Sequence, residues 1–137
     1  MKGRIIGVDY GRKRTGLSTT DPDQIIVTGL DTVDTKNFRN FLETYIFDEG
    51  VIKIVFGKPT HKDGTPTLLW TDIEKEISFL RERFPDLEID HTDEAFTSAD
   101  AKSIMLRSGL KKKKRRDKKT VDKLSAILIL QKYLGHI

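Results

Sequence analysis

Apolar residues recur along this 137-residue chain with two periods, close to 2 in some stretches and close to 3.6 in others. Residues 4–9 (RIIGVD) and 15–20 (TGLSTT) read as strands joined by Tyr10–Arg14, with Gly11 and Gly16 bracketing a hairpin turn. The β-branched stretch 25–33 (IIVTGLDTV) predicts a third strand. Phe38, Phe41, Leu42, Tyr45 and Ile46 then fall at helical spacing, and Gly50 is the expected stop. Residues 51–56 (VIKIVF) are almost continuously apolar and predict a fourth, central strand.

The stretch 57–66 (GKPTHKDGTP) has loop composition, and Leu69, Trp70, Ile73, Ile77, Leu80 and Phe84 mark a long amphipathic helix ended by Pro85 and Asp86. Residues 87–92 (LEIDHT) alternate as a half-buried fifth strand. The TSAD of residues 97–100 resembles a capping box opening a helix through Gly109. Thr120 is expected to cap a last helix whose apolar side carries Val121, Leu124, Ile127, Leu128 and Leu130. Three strands in hairpin order followed by alternating helices and strands predict an α/β fold. Its sheet is mixed and five-stranded, with the first three strands antiparallel and helices covering it.

Composition narrows the class. A 36% hydrophobic and 34% charged chain of this length predicts one globular, soluble domain over residues 1–137. No apolar run approaches the roughly 20 residues of a membrane span, and residues 5–8 are too short for a secretory leader, so a cytoplasmic protein with no membrane partner is expected. With no cysteine, thiolate metal sites and cysteine nucleophiles are excluded. His61, His91 and His136 are scattered and read as surface or loop residues, and no serine lies in a nucleophile elbow.

Charge is uneven. The net is +4, but the run KKKKRRDKK at 111–119 holds eight basic residues and one acid, leaving 17 basic against 20 acidic elsewhere. Such a run is either a solvated tether or a contact for polyanions, because Lys and Arg release condensed counterions from phosphates.

Three acidic positions attract attention. Asp9 ends the first strand, where ligands of α/β sheets gather, although a turn aspartate would look the same. Asp93 and Glu94 end the fifth strand before a helix start, and alternation separates them onto opposite faces without saying which face holds a site. Asp122 follows the presumed cap of the last helix, where an acid is ordinarily explained by the helix dipole. Gathered together, carboxylates of this kind suit Mg²⁺ or Mn²⁺, and a pair of such ions can activate water and stabilise the leaving oxygen of a phosphodiester.

Four segments, GVDYGRKRTGLS, VFGKPTHKDGT, DEAFTSADAK and VDKLSAILILQKYL, occur in one order across nearly the whole chain. Together they resemble the RuvX/YqgF family of pre-16S rRNA nucleases, relatives of RuvC-type Holliday junction resolvases with an RNase H-like fold. The resemblance implies a catalytic, metal-binding triad of Asp9, Glu94 and Asp122, a two-metal Mg²⁺ or Mn²⁺ cofactor, and endonucleolytic trimming of structured RNA at the 5′ end of pre-16S rRNA. It also turns the basic run toward a polyanion, so Lys112, Lys113, Lys114, Arg115 and Arg116 are expected to contact nucleic acid; Arg12, Lys13 and Arg14, immediately after Asp9, and Lys58, a cation beside the presumed site, are expected to add to that surface. Expected partners are pre-rRNA, with branched DNA the alternative, and a ribosomal particle; the expected state is a monomer or weak homodimer. Ala95 stands where such families have arginine, and Lys58 where they have an apolar residue.

Three other functions remain in competition. A junction resolvase would use the same residues on four-way DNA. An RNA-binding assembly factor would bind without cutting. A sugar-kinase-like phosphotransferase would use Asp9, Gly11 and Gly16 as a phosphate hairpin.

Overall fold

The computed structural model describes residues 2–60, 63, 65, 67–93 and 117–137. Glu94, Ala95, the predicted helix after it and Lys112–Arg116 lie outside the described residues. Strands β1 (Arg4–Asp9), β2 (Arg14–Thr20), β3 (Val27–Gly29), β4 (Val33–Asp34), β5 (Val51–Lys58) and β6 (Glu88–Asp93) form one sheet. Helices α1 (Phe38–Glu49), α2 (Leu68–Arg83) and α3 (Lys118–Tyr133) cover it. The order across the sheet is β3-β2-β1-β5-β6, with β4 also on β2. β1, β2 and β3 are antiparallel, whereas β5 and β6 run parallel to β1.

The predicted third strand is two strands. β3 pairs with β2 at Ser18–Thr20, while β4 pairs with it at Arg14 and Thr15. Helix α3 crosses between them: a Cβ on Gly29 would lie 2.5 Å from the Lys123 side chain, and Thr32 Oγ1 donates to the Lys119 carbonyl at 2.8 Å. The chain breaks its pairing there to let the helix pass.

Alternation along β1 sends its residues to two different interiors. Ile6 and Val8 join Leu17, Ile54 and Phe56 in a core roofed by Phe38, Leu42 and Ile46 of α1 and Ile73, Ile77 and Leu80 of α2. Those helix residues recur at three- and four-residue spacing, so one stripe of each helix is buried. α1 ends as its sequence predicts: Gly50 adopts φ +64 and donates its N–H to the Ile46 carbonyl. Glu76 is buried between α1 and α2 because Arg39 holds it, Nη2 to Oε2 at 2.6 Å and Nε to Oε2 at 3.0 Å. On the opposite face, Ile5 and Val55 pack only on Ile129 and Leu130 of α3 among the buried apolar residues described.

The last helix starts earlier than predicted. Asp117, not Thr120, is the N-cap: its carboxylate accepts from Lys119 N–H at 3.2 Å and from Thr120 Oγ1 at 2.9 Å. Aspartate outranks threonine as a cap, and Thr120 bonds back to it from the first turn. Lys118 and Lys119 are therefore helical, and the basic run is not a uniform tether.

Candidate active site

α3 lies unusually close to the sheet because glycines face it. A Cβ on Gly7 would fall 2.6 Å from Leu130 Cγ, and one on Gly16 only 2.1 Å from the Asp122 carbonyl oxygen. Gly16 lies within β2, as the sequence predicts, and the reason for glycine there is close approach of helix backbone to strand backbone. Ser18, two residues on, donates to the Ala126 carbonyl at 2.6 Å and seats the same helix.

This seating brings Asp9 and Asp122 together. Asp9 follows Ile5 and Gly7 by alternation, so it faces α3, and its cross-strand partner is Gly16. Asp122 sits directly over that glycine. Asp9 and Asp122, far apart in sequence, therefore both border the bare backbone of Gly16 at the carboxyl end of β1.

Asp122 has lost its ordinary explanation. With Asp117 as the cap, it stands in the second turn of α3, beyond the reach of the N-terminal dipole. Burial raises its carboxyl above the usual carboxylate range, opposed by the hydrogen bond and charge of Arg14. Arg14 Nε donates to Asp122 Oδ2 at 3.1 Å, with both side chains partly exposed. A partly buried acid beyond the helix dipole, whose charged form is disfavoured by burial and supported by arginine, is suited to meeting a cation.

The other expected residues divide between the two faces. Asp93 pairs in register with Lys58, and its carboxylate accepts from Thr60 Oγ1 at 3.1 Å. Lys58 Nζ lies 4.8 Å from the centre of the Trp70 ring, on the α2 side rather than beside Asp9. Arg12, at the hairpin tip, also turns to α2, its Nε 3.0 Å from Asp72 Oδ2. Lys13 is exposed. Arg14 alone of the three hairpin cations is held against an expected site residue. Glu94 and Lys112, Lys113, Lys114, Arg115 and Arg116 lie outside the described residues, and among the described residues no group of three metal-binding side chains forms.

Sequence reading missed two participants. Gly16 was legible as a glycine but not as the floor beneath Asp122. The Arg14–Asp122 pair joins residues with no local signal linking them; opposite charge alone could not have selected it from the many Lys/Arg and Asp/Glu combinations.

A mixed sheet of this order, with helices on both faces and an aspartate at the end of its central strand, is the RNase H-like class of α/β fold. The family model for RuvX, described as Holliday junction resolvase, matches residues 3–136, and the chain belongs to that family. Relatives extend over nearly the same length. A protein of Porphyromonas gingivalis is 45% identical over 134 residues, covering 98% of this chain and 97% of its own. One of Bacteroides thetaiotaomicron is 44% identical over 131 residues, covering 96% and 95%. One of Flavobacterium psychrophilum is 44% identical over 131 residues, covering 96% of each. All three carry the name "Putative pre-16S rRNA nuclease".

Proposed function

We propose that this protein is a divalent-metal-dependent endonuclease that hydrolyses phosphodiester bonds in structured RNA, trimming the 5′ end of pre-16S rRNA during ribosome biogenesis in the cytoplasm. The observation that supports the reading most directly is that Asp9 pairs across the strands with Gly16 while Asp122 stands over the same glycine. The names of relatives matched over nearly the full chain supply the substrate.

Asp9 and Asp122 fit Mg²⁺ or Mn²⁺ by donor chemistry, since hard ions prefer carboxylate oxygens and keep several waters. Glu94, the next residue after β6, is the third ligand of the proposal. When bound, such ions lower the pKa of water and stabilise charge on the leaving oxygen. The chain's own part is placement. β1 fixes Asp9 at a rigid strand end, and the Gly16 contact fixes the height of α3 and hence of Asp122. Lys13, Arg14 and the 112–116 cations would meet the phosphate backbone at the site, and Arg12 and Lys58 would meet it only on the α2 side of the same sheet end; such attraction is strongly salt-dependent.

A second reading, resolution of four-way DNA junctions, is favoured by the description attached to the family. Incubating the protein with a 5′-extended 16S precursor, junction DNA and unstructured RNA, each with Mn²⁺ or with EDTA, separates the two. Metal-dependent cutting of the precursor, abolished in Asp9→Asn, is the expected result. Cutting of junction DNA alone selects the second reading. Precursor binding with no metal-dependent cleavage would make the protein an assembly factor, and parental cleavage by Asp9→Asn would remove the site assignment.

A further inference from the structure

Arg14 and a metal ion would compete for the same carboxylate. Its bond to Asp122 is a single side-on contact through Nε, unlike the two-nitrogen grip of Arg39 on Glu76. The side chains of Arg14 and Asp122 are 30% and 24% exposed, so the pair is neither sealed from water nor locked by burial. An ion pair that water still reaches, held by one hydrogen bond, is weak enough for a divalent ion or a phosphate to break. Arg14 also stands at the first residue of β2, immediately after the hairpin tip carrying Arg12 and Lys13. A guanidinium released there has two remaining nitrogens suited to a phosphate oxygen pair.

Resting on the reading of Asp122 as a metal ligand, we propose that Arg14 is a placeholder cation. It neutralises Asp122 while the metal is absent, and it transfers to a substrate phosphate when the metal takes the carboxylate. The two events then favour each other. A phosphate that draws Arg14 away removes a positive charge from the metal's position. A metal that displaces Arg14 frees it for the phosphate. Such coupling is reciprocal, so it must appear in both binding equilibria.

Two measurements on the full chain test this. The first is calorimetric titration with Mn²⁺ in the absence of nucleic acid. Arg14→Gln should bind Mn²⁺ about fivefold or more tightly than the parent, the low end of ordinary coupling between sites. Arg14→Lys, which keeps the charge, should remain close to the parent. The second is fluorescence anisotropy with a labelled RNA hairpin in EDTA, where no cleavage occurs. Asp122→Asn should tighten RNA binding by releasing Arg14, and that gain should shrink when Arg14→Gln is also present. A purely structural role for Arg14 predicts neither tighter metal binding nor this non-additivity. Unchanged or weaker Mn²⁺ binding by Arg14→Gln overturns the proposal, as does strict additivity in the RNA cycle. Uptake of Mn²⁺ by Asp122→Asn at parental affinity would instead overturn the metal-site reading, and the placeholder with it.

Discussion

The two faces of the sheet are built on different principles. Beneath α1 and α2, large side chains interdigitate: Phe38 and Phe56 are fully buried and meet edge to face with ring centres 6.3 Å apart. Beneath α3, glycines let backbone approach backbone, and the buried set includes Thr20, Ser18 and Ser125. Helix α3 is then tied down by polar bonds. Tyr133 donates to Asp90 Oδ2 at 2.8 Å and accepts from Lys53 Nζ at 3.0 Å, while Lys132 Nζ reaches the Asp93 carbonyl at 2.9 Å. One face supplies bulk stability, and the other holds a helix at a defined height over Asp9. The proposed site, which would place two carboxylates, gains more from the second arrangement than from a deformable apolar layer.

Substitutions can break that contrast. Phe56→Ala should have the largest effect on the fold, about 3–5 kcal/mol in a chemical denaturation curve, because it empties the fully buried centre of the α1/α2 core. Any metal binding that survives in the folded fraction should keep its affinity. Gly16→Ala should cost less stability, about 1–3 kcal/mol, as overpacking does. Its effect on Mn²⁺ affinity should be disproportionate, since the added methyl meets the Asp122 backbone. If Gly16→Ala bound Mn²⁺ as the parent does, the height of α3 over β2 would not set the site.

The smallest effect is a pH dependence. The Tyr133 hydrogen bond, aided by the His91 N–H, holds the Asp90 carboxyl below its ordinary value of 3.8. A folded-state value below the unfolded one gives stability that is present above the unfolded pKa and lost as pH falls through the folded one. Melting temperature should therefore fall as the solution is acidified below about pH 4, the unfolded range for Asp. Tyr133→Phe, lacking the main cause, should show a shallower fall over the same window. Identical acid profiles for the two would mean that this tie contributes nothing to holding α3.

How much of this was readable beforehand depended on distance along the chain. RIIGVD announced both a strand and an acid at its end, and Gly50 announced the close of α1, because those signals are local. Basic residues on both sides hide Asp117 as a cap, so the sequence predicts a helix that starts at Thr120 and offers Asp122 a dipole that does not reach it. The division of the third strand and the Arg14–Asp122 pair both arise where α3 crosses β2 and β3. Neither strand nor helix carries a period that records that crossing. Gly16 is legible as a strand residue beside the turn, yet only the helix above it shows why that position is glycine.

The central claim is that Asp9 and Asp122 form two parts of one divalent-metal site. Thermal unfolding of the parent, Asp9→Asn and Asp122→Asn, each with and without saturating Mn²⁺, tests it most directly. A ligand held only by the folded state stabilises it by about 2.7 kcal/mol at a hundred times its dissociation constant. The parent should show a clear rise in melting temperature, and each variant should lose most of it. Equal rises in all three proteins would contradict the claim.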